Sequence, residues 1–160
     1  MRICITGPTG AGKTTLARRL GRRLRIACHA LDDLHGVRGA EGDMRRPLEE
    51  TLSLLQRIVD DERWIVEGAQ FKWADAALAR ADHIVVIDAP SWRTTLQIVL
   101  RPGRQWLGLE AYACRPRLAR LPGAATTTAR SALLRTKLTP FRARTLLIRH
   151  SRARLPPSLG

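Results

Sequence analysis

The stretch Gly7-Pro8-Thr9-Gly10-Ala11-Gly12-Lys13-Thr14 stands between an apolar run, Ile3 to Thr6, and a helical pattern carried by Leu16, Leu20 and Leu24. Three glycines, then lysine and threonine at the mouth of a helix, form the pattern of a phosphate-binding loop. Its chemistry needs each part. Successive backbone N–H groups curl around phosphate oxygens, glycines leave room for the curl, and the positive end of the helix dipole faces the charge. The expected ligand is a nucleoside triphosphate, ATP, cradled by Gly7, Pro8, Thr9, Gly10, Ala11, Gly12, Lys13, Thr14 and Thr15. Lys13 is expected to reach the outer phosphates and Thr14 to offer its hydroxyl to Mg2+, while Gly12 stands where a side chain would meet the phosphate or close the loop.

Outward from the loop, the chain alternates short apolar runs with helical patterns. The first strand is expected over about residues 2–6 and a second near 25–30, delivering His29, Asp32 and Asp33 to the sheet edge. Residues 36–47 hold three glycines, several charges and a proline, the composition of a mobile connection. Pro47 suits the first turn of a helix containing Leu52, Leu55, Ile58 and Val59. RWIVEG (63–68) and HIVVIDAP (83–90) read as the third and fourth strands, nearly uninterrupted apolar runs of the sort found in sheets covered on both faces. Helices are expected near 91–100 and 128–138, and a last strand over about 145–148. Strands separated by helices predict an α/β sheet with its ligand at the carboxyl ends of the strands.

At 160 residues the chain has the size of one domain. Residues 1–150 are expected to form it, with a lid near 101–125, and the proline-rich 151–160 to be a poorly packed tail. Cys4, Cys28 and Cys114 are odd in number and form no CxxC pair, which argues against a disulfide framework or a zinc site; Cys4 and Cys28 are expected in the core. No leader pattern or membrane-length apolar stretch is present, so a soluble, cytoplasmic protein is expected. The net charge is +14. Residues 1–88 are balanced, with 14 basic and 13 acidic side chains, whereas 89–160 carry 14 basic residues and only Glu110 as an acid. That field favours anionic partners, nucleic acid among them, without choosing between them.

Carboxylates at neighbouring strand ends narrow the chemistry. Glu67 is the candidate for supporting Mg2+ with Thr14 or orienting an attacking group, and Asp32 or Asp33 for accepting a proton from an acceptor hydroxyl. Asp88 precedes Pro90 and reads as part of a turn. Arg101, Arg104, Arg115 and Arg117 lie in a segment containing Pro and Gly suited to a small lid, with Arg93 a further phosphate contact. Cations there would stabilise the charge that phosphoryl transfer spreads over equatorial oxygens, and closure would exclude water. Trp64 and Trp73 read as packing anchors, Trp92 and Trp106 as neighbours of the substrate or lid.

With these residues laid out, the chain resembles the small P-loop kinases of the adenylate-kinase-like class, and within it the proteins called DNA topology modulation or FlaR-like. The resemblance rests on the phosphate loop, His29-x-Leu31-Asp32, RWIVEG and the RADHIVVIDAP segment at 80–90 followed by Trp92 and Arg93. It implies a P-loop NTPase three-layer sandwich, a five-stranded parallel sheet in the order 2-3-1-4-5, and ATP with Mg2+ beside Lys13 and Thr14. The family pattern carries Asp-Gly-Asn where this chain has Glu67-Gly68-Ala69; the longer side chain keeps the charge and shifts the carboxylate.

The expected activity is transfer of the γ-phosphoryl group of ATP to a hydroxyl or phosphate acceptor, with a nucleoside or nucleoside monophosphate implied by the resemblance. Catalytic candidates are Lys13, Asp32, Asp33, Glu67, Arg101, Arg104 and Arg115, with Thr14 and Glu67 as metal ligands. A nucleic-acid-associated ATPase, a nucleic-acid-end kinase and a nucleotide-dependent switch are the alternatives. Monomer and homodimer both stay open.

Overall fold

The computed structural model describes residues 1–39, 42–68, 73–88, 136–153 and 155–159. Its centre is a parallel sheet of five strands: β1 (Arg2–Thr6), β2 (Cys28–Ala30), β5 (Trp64–Gly68), β6 (His83–Ile87) and β7 (Thr145–Ile148). They lie in the order β2-β5-β1-β6-β7. Numbered among themselves, these strands follow 2-3-1-4-5, the expected topology. Register is set in parallel pairs, Ile5 beside Glu67 in β1–β5 and Ile5 beside Val85 in β1–β6.

The near-continuous apolar runs are explained by what covers each face. Successive side chains on a strand point to opposite sides, so Ile3, Ile5, Ile65, Val85 and Ile87 enter one apolar cluster while Cys4, Trp64, Val66, Ile84 and Val86 enter the other. The first cluster is completed by Leu16, Ala17 and Leu20 of α1 (Lys13–Leu24). The second is completed by Leu55 and Val59 of α3 (Leu48–Asp60) and by Ala77 and Leu78 of α4 (Asp75–Arg80). Both faces of the central strands are buried, so polar alternation never develops in them. Trp64 and Trp73 are packing residues, as expected, the latter with its ring 5.9 Å from that of His35.

Between β2 and α3 the chain departs from its reading as a mobile connection. A short helix α2 (Leu31–His35) leads into an antiparallel hairpin, β3 (Gly36–Gly39) and β4 (Gly42–Arg45), with Gly36 opposite Arg45. The Arg46 N–H donates to the His35 carbonyl at 2.8 Å and extends the ladder toward α3. Four-residue strands rich in glycine and charge carry no period-2 apolar signal, so backbone pairing alone reveals them.

The tail departs too. A 3-10 turn, Pro157–Leu159, brings Leu159 to 1% exposure in the α1-side cluster, with Ala153 and Leu155 packed at its margin. Instead of hanging free, these residues close a gap beside α1; burying one leucine contributes about 1.5–3 kcal/mol. Cys4 is buried, its thiol pushed up to about 12 by burial. Cys28, expected in the core, is exposed, because β2 is an edge strand that among the described residues pairs with β5 alone; its Sγ donates to the Ala17 carbonyl at 3.0 Å. Among the described residues, no helix is long and apolar enough to cross a membrane.

Candidate functional site

β1 ends at Thr6 and α1 begins at Lys13, so Gly7 to Gly12 must reverse direction at the carboxyl edge of the sheet within six residues. The turn is made with three left-handed glycines: Gly7 at φ 148°, Gly10 at 80° and Gly12 at 86°. At Gly7 a β-carbon would come within 2.5 Å of the Ile87 carbonyl oxygen, so the loop is pressed against the end of β6. At Gly12 it would meet the Ser151 side chain, Oγ at 2.8 Å and Cβ at 2.9 Å. The loop is braced internally as well, by Ala11 N–H donating to the Pro8 carbonyl at 3.2 Å and Lys13 Nζ to the same oxygen at 2.8 Å. Among the described residues no side chain caps α1, whose first turn contains no acid. The positive end of the helix dipole faces the loop, an arrangement that suits phosphate.

The strand ends supply the rest. β5 runs beside β1 and places Glu67 opposite Ile5, one residue before the sheet edge. Thr14, on the first turn of α1, donates its hydroxyl to Glu67 Oε1 at 2.7 Å. Glu67 is only 7% exposed. Burial pushes its carboxyl above the usual glutamate range; the Thr14 hydrogen bond and the Lys13 ammonium pull it down, and Asp32 and Asp33 push it up again. A hydroxyl and a carboxylate so joined are an oxygen-only donor pair, which suits a hard dication such as Mg2+. Among the described residues no group of three His, Cys, Asp or Glu side chains could cage a metal. A Mg2+ ion bound chiefly through phosphates and water would need no such cage.

The structure therefore brings Lys13, Thr14 and Glu67 together, with Asp32 and Asp33 close enough to act on Glu67 electrostatically. Both aspartates are exposed on α2, which follows β2 directly. α2 is held there by close packing: Leu31 Cβ lies 2.8 Å from where a β-carbon on Gly68 would be. His29, at the sheet edge with them, is half-buried, and its imidazole is held below the usual histidine range by burial, against an upward pull from Asp61 at the far end of α3. It does not join the Glu67 group. Asp88 is exposed, and its N–H donates to the Ile148 carbonyl at 2.7 Å, extending the pairing of β6 with β7; the turn read at Pro90 lies outside the described residues. Arg93, Arg101, Arg104, Arg115, Arg117, Trp92, Trp106 and the lid near 101–125 lie outside the described residues.

Two walls of the loop escaped the sequence reading. Ile87 is an ordinary apolar strand residue, and Ser151 sits in a tail with no pattern of its own. Only the fold brings either one to the glycines.

Comparison with known proteins agrees with this geometry. No curated protein sequence matches the chain. Among solved structures, a shikimate kinase from Bacteroides thetaiotaomicron superposes with a TM-score of 0.54 at 19% identity, over 99% of this chain and 91% of that one. An uncharacterised protein from Eubacterium ventriosum superposes with a TM-score of 0.50 at 10% identity, over 94% of this chain and 91% of that one. A shikimate kinase from Aquifex aeolicus gives a TM-score of 0.49 at 18% identity, over 99% and 89%. At such identities the likeness is one of fold, and the fold is the α/β P-loop kinase fold. A family model described as an AAA domain matches residues 3–101, the span holding the phosphate loop, Asp32, Asp33 and Glu67. The chain belongs to that AAA domain family, as a small member built on the P-loop kinase fold.

Proposed function

We propose that this protein is a small-molecule kinase that transfers the γ-phosphoryl group of ATP, with Mg2+, to a hydroxyl or phosphate acceptor. The observation that carries the reading is the 2.7 Å hydrogen bond from Thr14 to Glu67, made at the mouth of the glycine loop. It joins the loop's hydroxyl to a strand-end carboxylate, the pairing that a nucleotide-bound dication needs. Bound MgATP would supply the phosphoryl group and part of the charge neutralisation. The chain's own groups do the rest. Amides of the loop from Gly7 to Thr15, other than Pro8, which has none, and Ala11, which is turned to the Pro8 carbonyl, hold the donor phosphates, and Lys13 leaves the Pro8 carbonyl to reach the outer ones. Thr14 and Glu67 orient the metal's shell. Asp32 or Asp33 takes the proton that the acceptor oxygen loses as it bonds to phosphorus, while the bond to the β-phosphate oxygen breaks. Arg101, Arg104 and Arg115, outside the described residues, would offset the charge on the transferring group.

The acceptor class rests on two lines of support. The resemblance to the adenylate-kinase-like and FlaR-like group favours a nucleoside or nucleoside monophosphate. The fold shared with the Bacteroides shikimate kinase favours a small hydroxyl compound. Transfer from γ-labelled ATP to a panel of nucleosides, nucleoside monophosphates, small hydroxyl compounds and nucleic-acid ends decides between them, with Lys13→Ala as control. A labelled product absent from the control supports the kinase and names its acceptor. No labelled acceptor despite tight ATP binding would sink the small-molecule reading for that panel and favour an ATPase or switch.

A second reading, a nucleic-acid-associated ATPase or end kinase, is favoured by one observation. Arg18, Arg19, Arg22 and Arg23 are exposed on one side of α1, and no salt bridge joins any of them to a carboxylate among the described residues. Guanidinium groups in that state suit a phosphate backbone. Turnover of ATP that rises with added DNA or RNA and falls steeply with salt would put this reading first.

A further inference from the structure

The glycines that open the loop to phosphate also leave it free to leave that conformation, because glycine populates both halves of φ space almost equally. Something outside the loop must select the left-handed turn at Gly12. At Gly7 the selector is the backbone of β6, which belongs to the central sheet. At Gly12 it is the Ser151 side chain, on the turn three residues beyond β7. This second wall is fixed by three attachments. The Asp88 N–H donates to the Ile148 carbonyl at 2.7 Å, joining the ends of β6 and β7. Arg19 of α1 donates to the Ala153 carbonyl at 3.1 Å. Leu159 is buried in the cluster that also holds Ala11 of the loop and Leu16 and Leu20 of α1. One apolar cluster thus contains both a residue of the phosphate loop and the anchor of the chain's last turn.

We propose that Ser151 is a positioning residue for the phosphate loop, its β-carbon walling in Gly12, and that docking of Leu159 keeps that wall in place. The C-terminal segment then sets how receptive the loop is before a ligand arrives. Ser151 needs no contact with the ligand for this. Its function is to remove alternatives to the left-handed turn at Gly12, and a loop already in its receptive conformation binds more tightly by the inverse of the fraction that would otherwise be receptive. The effect on affinity rests on the loop being a nucleotide site, as proposed above; the effect on loop order does not.

The test uses the full chain with Ser151→Gly, Ser151→Ala and Leu159→Ala. Two quantities are read: hydrogen exchange of the Gly10 to Thr14 amides without ligand, and affinity for the β,γ-imido analogue of ATP with Mg2+ by calorimetry. Removing the wall in Ser151→Gly is expected to speed exchange of those amides and weaken the analogue about three- to tenfold, with the thermal midpoint nearly unchanged. Ser151→Ala keeps the β-carbon and is expected to stay within about twofold of wild type on both readouts. Leu159→Ala is expected to weaken binding at least as much as Ser151→Gly. Unchanged exchange in Ser151→Gly overturns the proposal, whatever the analogue does, and does not depend on Leu159→Ala folding. An equal loss in Ser151→Ala and Ser151→Gly also overturns it, since the hydroxyl would then be acting on the ligand itself. If wild type fails to bind the analogue, the nucleotide reading fails while exchange still decides the brace.

Discussion

Replacing Gly12 with alanine strikes the loop where backbone geometry and packing meet. At φ 86° and ψ 25° the residue is left-handed, a conformation that costs an L-residue about 1–2 kcal/mol. The new methyl would also lie 2.8 Å from Ser151 Oγ and 2.9 Å from its Cβ. Rotating the hydroxyl clears only the first contact, so Ser151 or the loop must shift, and overpacking of this kind costs about 1–3 kcal/mol. Alanine returns about 0.4–1 kcal/mol by restricting the unfolded chain. The net expectation is a loss of about 1–5 kcal/mol. Only the steric part depends on Ser151. Urea unfolding of wild type, Gly12→Ala, Ser151→Gly and the double variant forms a cycle whose coupling should be about 1–3 kcal/mol, the double variant keeping just the backbone cost. Additivity within about 0.5 kcal/mol would show that the two residues do not share that space, and would refute the packing argument.

Three further outcomes are expected. Glu67→Gln removes a buried charge while leaving an amide oxygen for the Thr14 hydroxyl. Burial raises the folded carboxyl above its unfolded value, so the native state binds more protons, and ligand-free stability should fall as pH rises from the ordinary glutamate range through the raised one. The variant should be flatter in pH, more stable at neutrality and much less active; a wild-type pH profile in unfolding would disprove the buried-charge account. Arg25 ends α1 in the left-handed region at φ 56°, with the Ile26 N–H returning to the Gly21 carbonyl at 3.0 Å. Arg25→Gly should stabilise by about 0.5–1 kcal/mol after the entropy of glycine is counted, and a fall in the urea midpoint would contradict it. Gly68→Ala would set a methyl 2.8 Å from Leu31 Cβ and 3.0 Å from its Cδ1. It should cost about 1–3 kcal/mol and, by pushing α2 outward, weaken acceptor use more than nucleotide binding; equal loss of both would show that α2 does not bear on the acceptor.

What the sequence determined by itself were the features whose physics is local or periodic. The phosphate loop is local: glycine, lysine and threonine must follow one another for one turn to surround a phosphate, and no distant partner changes that requirement. The sheet is periodic: Ile3 to Thr6, Trp64 to Val66 and His83 to Ile87 are apolar on both faces because helices cover both, and that burial shows as uninterrupted runs. Glu67 could be picked out because it ends such a run. The hairpin over 36–45 could not, since its strands are held by backbone bonds that side chains scarcely encode. Tertiary structure alone decided the remainder. The hydrogen bond between Thr14 and Glu67 spans 53 positions and exists because β5 lies beside β1. Cys28 is exposed because β2 happens to be the edge. Ser151 reaches Gly12, and Leu159 the core, only because β7 ends beside β6 and turns the last residues back over α1. A leucine that follows two prolines and a serine near the end of a chain carries no periodicity, so its burial is decided by the space that α1 and the sheet leave open.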